Sequence, residues 1–312
     1  MNEQQTVSEQ FRCGYVTIIG EPNVGKSTLL NGLLNRKLSI VTRKPQTTRH
    51  TVLGILSTSD YQIIFLDTPG IIRPKYLLQH VMMGYASSAL EDADILLFMI
   101  DATKPGISDG KSAGSIGVET VQRFGEKKKP VFLVINKVDL VDKGALLPII
   151  DAFSRTIPFK EIFPISALQH DGTNELLAAI VQQLPEHPPF YPLDVISEQS
   201  ERFFVSEIIR EKIFEKYEQE IPYSTTVDIV EFKEREGGKW FISADVYVER
   251  DSQKGILIGA RGAALKEIGS LARKDIEDFL QHPVFLELHV KVRANWREDG
   301  RWLARLGYTG TT

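Results

Sequence analysis

The chain has 312 residues, 42% of them apolar, with 37 basic and 41 acidic side chains and a formal net charge of −4. That length can bury one full core and part of a second, so two domains are expected, and the near-balanced charge gives no global nucleic-acid signal. A single cysteine, Cys13, excludes a disulfide framework and points to a reducing cytosol, and the longest apolar runs, such as 95–100, are too short to span a bilayer. Residues 1–10 are polar and lack the basic and apolar regions of a signal peptide, so they are read as a disordered tail.

The first structured element is the apolar run Tyr15 to Ile19, a strand, followed by Gly20, Glu21, Pro22, Asn23, Val24, Gly25, Lys26 and Ser27, and then by a helix from Thr28 to Leu34. Strand, glycine turn and helix together make a phosphate cradle. Backbone N–H groups and the positive end of the helix dipole converge on one point. Lys26 can reach β- and γ-phosphate oxygens, and the Ser27 hydroxyl can ligate Mg²⁺. The polar, aperiodic stretch from Arg43 to His50 comes next and has the place of a loop that senses the γ-phosphate. Thr48 is assigned as its Mg²⁺ ligand, with Thr47 as the alternative. The strand 61–66 then ends in Asp67, Thr68, Pro69 and Gly70, where Asp67 can hold Mg²⁺ through a water and the Gly70 amide can bond the γ-phosphate.

Residues 106–117, rich in Gly and Ser, read as a flexible surface loop without an assigned function. A strand at 131–135 ends in Asn136, Lys137, Val138 and Asp139. The Asp139 carboxylate matches the N1–H and exocyclic amine of guanine, a donor pair that adenine lacks, so the site selects GTP. After a strand at 162–165, Ser166, Ala167 and Leu168 offer a backbone amide to guanine O6. Each motif lies at the carboxyl end of a strand, the edge along which open α/β sheets bind ligands. This part resembles a Ras-like GTPase domain with a doubly wound, mostly parallel sheet.

Two residues bear on hydrolysis. Ile71 stands where Ras-like proteins carry the glutamine that orients the attacking water, so catalytic help must come from elsewhere or turnover is slow. At Asn23, GTPases resembling this one hold a K⁺ ion near the β–γ bridge, but asparagine also simply favours a turn. Both readings stand.

The G domain is expected to span 11–184 and a linker 185–198, where four prolines within residues 185–192 favour an extended, semi-rigid segment. The remainder, 199–312, reads as an amphipathic helix (201–220), two strands (225–232 and 239–248), a helical region interrupted at 255–262 and continuing to about 280, and a strand at 284–290. The order αββααβ, with Gly259, Ala260, Arg261 and Gly262 between two helices, resembles an α+β type II KH domain. In such a domain the tight turn meets an RNA backbone while bases lie over an apolar groove. Ile256 and Ile258 would line the groove. Arg261, Lys266 and Arg293 add charge, and residues 250–312 hold 11 basic against 8 acidic side chains. Arg297 and Arg301, with Arg305, recur every fourth residue, either as a phosphate-binding stripe or as a solvated helix face.

A GTPase domain joined through a proline-rich linker to a KH domain resembles the Era family of bacterial GTPases. The likeness runs from Phe11 to about Tyr308 and is specific in GEPNVGKSTLLN, RKPQTTRH, DTPGI, NKVD, SEIIREKIF followed by EIPYS, VERDSQKGILIGARGAALKEIG and the ending LGY. It implies a monomeric GTP/GDP-switched factor that uses Mg²⁺, binds the 3′ end of 16S rRNA and aids maturation of the small ribosomal subunit. It also implies a cytoplasmic location with peripheral contact at the inner membrane. Two features depart from the family: the 106–117 loop is longer, and Arg261 stands where lysine is frequent. A passive RNA-binding scaffold and a tRNA-modifying GTPase are the competing classes. The KH-like tail and the absence of a carboxyl-terminal cysteine oppose the latter.

Overall fold

Branched and aromatic runs in the first half of the chain form six strands: β1 (Arg12–Gly20), β2 (Val52–Ser57), β3 (Tyr61–Asp67), β4 (Ile95–Asp101), β5 (Val131–Asn136) and β6 (Glu161–Ile165). In this computed structural model, which describes residues 10–107, 115–126, 128–155 and 157–309, they pair in the order β2-β3-β1-β4-β5-β6. All neighbours are parallel except β2 and β3. Parallel strands covered on both faces need apolar residues throughout, and every residue of β4 and β5 is buried. Helices α1 (Lys26–Leu34) and α5 (Thr173–Gln183) pack on one face, around Val16, Ile18, Phe65 and Phe132. Helices α3 (Ser115–Glu126) and α4 (Lys143–Ser154) pack on the other, around Phe98, Leu133 and Ile135. The helix α2 (Leu77–Asp92) also contributes Ala89 to a smaller cluster with Cys13 and Ile64. Truncating a fully buried aromatic such as Phe132 to alanine costs about 3–5 kcal/mol.

The second half forms a three-stranded sheet, β7 (Thr226–Lys233), β8 (Trp240–Val248) and β9 (Val284–Val292). The first pair is antiparallel and the second parallel. One face is covered by α6 (Glu201–Lys216) and α9 (Ala263–Leu280), which enclose Ile209, Ile213, Ile242, Val246, Ile268 and Ile276. Helix α6 stops at Lys216 and not at 220, because Gln219 takes a left-handed φ of 55° and Pro222 opens a separate turn, α7 (Ile221–Ser224). The interruption expected at 255–262 is also narrower. Gly255 lies within α8 (Asp251–Ile258), and the chain breaks only at 259–262. There Gly259 has φ 70° and ψ −179°, and a Cβ on it would meet the Ala264 Cβ at 2.6 Å.

Three other expectations change. The segment 185–198 is extended, as its prolines suggest, but it is pinned to the first sheet. Cys13 and His187 exchange backbone bonds with Pro185 and Phe11, Gln62 bonds the backbone at 190 and 191, and Ile55 donates to Ile196. Residues 115–117, read as loop, begin helix α3, while 108–114 and all of the expected tail except Gln10 lie outside the described residues. Finally, Arg297 belongs to a 3₁₀ turn (Trp296–Glu298) and not to α10 (Gly300–Arg305), so the arginines do not form one helical stripe.

The two halves meet through the loop after α1. Its His50 stacks on Tyr308 with ring centres 4.4 Å apart, and also touches Phe203 edge-on and Tyr85. Burial lowers the pKa of His50 to about 4, with Glu207 opposing and Arg210 and Arg49 reinforcing the shift. The native ring therefore stays neutral at a pH where the unfolded one, near 6.5, takes up a proton. Stability is intact above the unfolded pKa and falls as pH drops toward the folded value, by up to about 3 kcal/mol. Thermal unfolding compared near pH 7 and pH 5 should show this loss in the wild type and a smaller loss in His50→Phe; equal losses would exclude His50 as the source.

Candidate nucleotide cleft and nucleic-acid interface

Strand β1 delivers the chain to the parallel edge beside β4, where the strand order reverses. The turn that follows must be glycine at two points. A Cβ on Gly20 would meet the Met99 carbonyl at 2.3 Å, and one on Gly25 would meet Asn136 Nδ2 at 2.2 Å. Gly25, with φ 105°, caps α1, so the first helical amides open into a cleft of about 430 Å³. That volume is within the range of small-molecule sites. Lys26 folds over the turn, Nζ donating to the Gly20 and Glu21 carbonyls at 3.1 and 3.0 Å. Its burial lowers the ammonium pKa to about 8, against the pull of Asp67. An anion in the cleft would give the buried ammonium, which donates to two carbonyls, a further charge partner beside Asp67.

At the next corner three oxygens from separate elements come together. Ser27 Oγ donates to Asp67 Oδ2 at 2.6 Å and lies 3.0 Å from Thr48 Oγ1. Asp67 is fully buried, which raises its carboxyl pKa despite Lys26 and Ser27, and its Oδ1 has no partner among the described residues. A buried carboxylate oxygen without a donor, beside two hydroxyls, suits a hard divalent cation such as Mg²⁺. Thr47, by contrast, is turned away and bonds Thr42 and the Lys44 carbonyl. Of the two threonines, the fold brings Thr48 to this corner.

The base end of the cleft is built around Asn136. Its Nδ2 donates to the Val24 carbonyl at 2.7 Å and its Oδ1 accepts from the Ala167 amide at 2.9 Å, so it braces cradle and base loop together. Lys137, at φ 67°, pairs with Asp101 at 2.5 Å. Exposed Asp139 and Leu168 line the cleft wall, and buried Ser166 lies beside them. Pro22, Asn23, Ser27, Thr28, Thr48 and Gly70 also line the space. Others of the expected set stand behind it: Val24 is core, Thr68 bonds the Ile18 carbonyl, and Glu21 pairs with Lys104. Asn23, at φ 64°, gives its amide N–H to the Arg43 carbonyl at 2.8 Å. Ile71 donates its N–H to Gly20 and packs toward the core, so it offers the cleft no polar group.

Sequence reasoning missed Ile40, Val41, Thr42 and Gln46 on the same wall. Only Gln46 lay within the polar stretch read as the switch loop. It accepts from Gln79 of α2 at 2.9 Å, linking the loops on both sides of the cleft.

On the second sheet's module, α8 and α9 meet at the 259–262 turn, with Arg261 exposed at φ 50° and Gly262 at φ 79°. Ile256 is half exposed and Lys266 exposed nearby, while Ile258 packs partly into the core. The tail arginines behave differently. Arg297 pairs with Glu249 at 2.5 Å and lies over Tyr76, and Arg293 pairs with Asp299 over Trp302. Arg297 is thus tied to Glu249 and to the segment before α2. Arg301 is exposed.

Residues 15–137 match a family profile described as 50S ribosome-binding GTPase, and residues 220–297 match a KH domain profile. The chain is 48% identical to GTPase Era of Geobacter metallireducens over 96% of its own length and 98% of that protein. It is 44% identical to the chloroplastic GTPase ERA-like protein of Arabidopsis thaliana over 98% of this chain and 70% of the relative. Two solved structures align at a TM-score of 0.90 and 42% identity, each covering 96% of this chain. One is a variant of Aquifex aeolicus Era bound to GDP·AlF4⁻, covered over its full length. The other is Era in complex with MgGDPNP and nucleotides 1506–1542 of 16S ribosomal RNA, covered over 99% of its length. With near-half identity over almost the whole chain, and both the GTPase and the KH module in place, the chain belongs to the GTPase Era family.

Proposed function

We propose that this GTPase is a nucleotide-gated clamp for the 3′ end of 16S rRNA that assists maturation of the small ribosomal subunit. The observation that carries the reading is that one loop, 37–50, serves both sites. On the cleft side it provides Thr48. On the other side Lys37 pairs with buried Glu211 at 2.5 Å, the Val41 amide donates to the same carboxylate, and Arg210 bonds the Thr47 carbonyl at 2.5 Å. Arg49 is buried and donates to the carbonyls of Pro222, Tyr223 and Thr225. A loop ordered by the γ-phosphate is therefore a docking platform for the KH module, and by linkage RNA bound to that module favours the GTP state.

In this reading the G domain spans 11–184, the pinned segment 185–198, and the KH domain 199–312. Lys26 and the α1 amides hold the phosphates, and Asp139 selects guanine. Ser27 and Thr48 ligate Mg²⁺, with Asp67 acting through a water; when bound, the ion neutralises charge developing on the β- and γ-oxygens. The Gly70 amide orients the γ-phosphate. With Ile71 unable to aim a water, hydrolysis is slow and works as a timer. The RNA backbone passes over Gly259–Gly262, with Arg261 and Lys266 on its phosphates and Ile256 beneath bases. Arg293, already paired with Asp299, and exposed Arg301 extend the basic edge. The proposed setting is the cytoplasm with peripheral contact at the inner membrane; no helix among the described residues is long and apolar enough to cross a bilayer.

The Asn23 amide oxygen carries no bond among the described residues, and K⁺ near the β–γ bridge would use it. Turnover in KCl should then exceed turnover in NaCl, and equal rates would remove this role. Lys26→Ala should weaken GTP binding about tenfold to a hundredfold, the worth of charge-assisted hydrogen bonds. Asp139→Asn should weaken GTP similarly while favouring xanthosine triphosphate, whose carbonyl replaces the guanine amine; calorimetry with both nucleotides reads the exchange. For RNA, a 16S 3′-end oligonucleotide should bind tighter with a non-hydrolysable GTP analogue than with GDP. Arg49→Ala should shrink that difference, and Arg261→Asp with Gly262→Asp should weaken RNA in both states yet spare GTP. Equal RNA affinity in the two wild-type states would overturn the gating.

A further inference from the structure

The two helices that flank the 259–262 turn are both held from the end of α6. Tyr217, the C-cap of that helix, donates its hydroxyl to the carbonyls of Ile256 and Leu257, 3.2 Å from each, in the last turn of α8. Carbonyls in a helix's last turn lack intrahelical donors, so this hydroxyl fixes how α8 delivers the chain to Gly259. On the far side of the turn, Lys216 pairs with Glu267 of α9 at 2.5 Å. Glu267 is mostly exposed, so that pair contributes little. Tyr217 packs partly into the core of the module and is the firmer hold.

The end of α6 is in turn held by the loop that carries Thr48. The Lys44 ammonium donates to the Phe214 carbonyl and pairs with Glu218 at 3.1 Å, at the negative end of the helix dipole. The Lys44 side chain is 15% exposed, and its backbone carbonyl accepts from the Thr47 hydroxyl at 2.8 Å. Phe214 is buried, with its ring under the guanidinium groups of Arg49 and Arg210. The helix goes no further than Tyr217, whose N–H bonds Ile213 at 3.0 Å, because Gln219 turns to a φ of 55°. A last turn that depends on an outside donor has two states, wound while the donor is present and frayed when it leaves.

We infer that Tyr217 is a positioning residue for the RNA-binding turn, and that Lys44 makes its hold depend on the nucleotide. With the loop closed, Lys44 keeps the last turn of α6 wound and the Tyr217 hydroxyl seated on α8. A turn fixed in advance loses less entropy when RNA binds over it. When the loop opens, the Phe214 carbonyl loses its donor, the end of α6 frays, and the 259–262 segment is released on one flank. The inference rests on the clamp reading of loop 37–50 and names the side chains through which that loop reaches the RNA.

The test measures the affinity of the full-length protein for a 16S 3′-end oligonucleotide by fluorescence anisotropy, with a non-hydrolysable GTP analogue and with GDP. Tyr217→Phe removes one hydroxyl and keeps the ring. It should weaken RNA binding about threefold to tenfold with the analogue, less than about twofold with GDP, and leave GTP affinity without RNA within about twofold. Lys44→Met keeps the aliphatic stem and should shrink the same analogue-to-GDP ratio. The double variant should lose no more than the larger single loss, as contacts in series do; losses that multiply would show independent contacts and overturn the link. Wild-type RNA affinities in Tyr217→Phe, or equal weakening in both nucleotide states, would overturn it as well. A wild type that binds RNA equally in the two states would instead sink the clamp reading itself, and the inference with it.

Discussion

The loop between α1 and β2 is stretched between two demands, and the rest of the structure is arranged around that tension. It has no strand or helix of its own to satisfy its backbone. Its polar groups are met on one side by the cradle, through Asn31 and Asn23, and on the other by Arg210 and Glu211 of α6. A segment with so few internal bonds has little stability apart from its partners. It can close over the nucleotide only in a conformation that the KH module also accepts.

Several of the contacts that join the halves involve buried charges. Arg210, paired with Glu207, and Glu211, paired with Lys37, are each 1% exposed, and Arg49 is 3% exposed. Desolvation makes such pairs poor sources of net stability, but removing one partner strands the other at a cost of about 3–5 kcal/mol. An apolar seam would hold the halves together in many registers. Here the guanidinium of Arg49 needs three carbonyls at the end of α7, and Arg210 needs the Thr47 carbonyl, so one alignment satisfies all of them. The apolar part of the seam, where Trp296 packs with Leu78, Met82 and Tyr308, ties the same module to α2. Both loops flanking the γ-phosphate position are thereby read by the carboxyl-terminal half.

Much of this was legible in the sequence because the nucleotide motifs are local. Each is a short run at the end of an apolar strand, and the strands' order follows from parallel-sheet topology. Asn136 was legible as part of a motif, yet its bracing of Val24 and Ala167 joins residues 112 and 31 positions away and has no local signature. The same holds for the segment 185–198, whose prolines predict extension but say nothing of Gln62, the side chain that captures it. Arg297 misled for a related reason. A four-residue spacing implies one helix face, whereas Asn295 at φ 52° and Asp299 as an N-cap divide the tail into two short turns. Ile40 and Val41 are apolar, a residue type that seldom marks a phosphate-sensing loop, and Thr42 lies one position ahead of the polar stretch.

These long-range ties also bear on the proposal that hydrolysis is slow. Ile71 does not simply lack a polar group; it packs into the core while its N–H holds the Gly20 carbonyl at 3.0 Å, so its place supports the cradle. A glutamine there would have to turn outward and give up that packing to orient water. On the proposed timer, the fold keeps the cradle firm and leaves the hydrolytic step without an aimed water, which would prolong the state in which the shared loop is closed. In the proposed clamp, a long-lived closed loop would hold the RNA, and release of phosphate would withdraw the tie to Thr48 and with it the platform on which Arg49 and Arg210 seat the KH module.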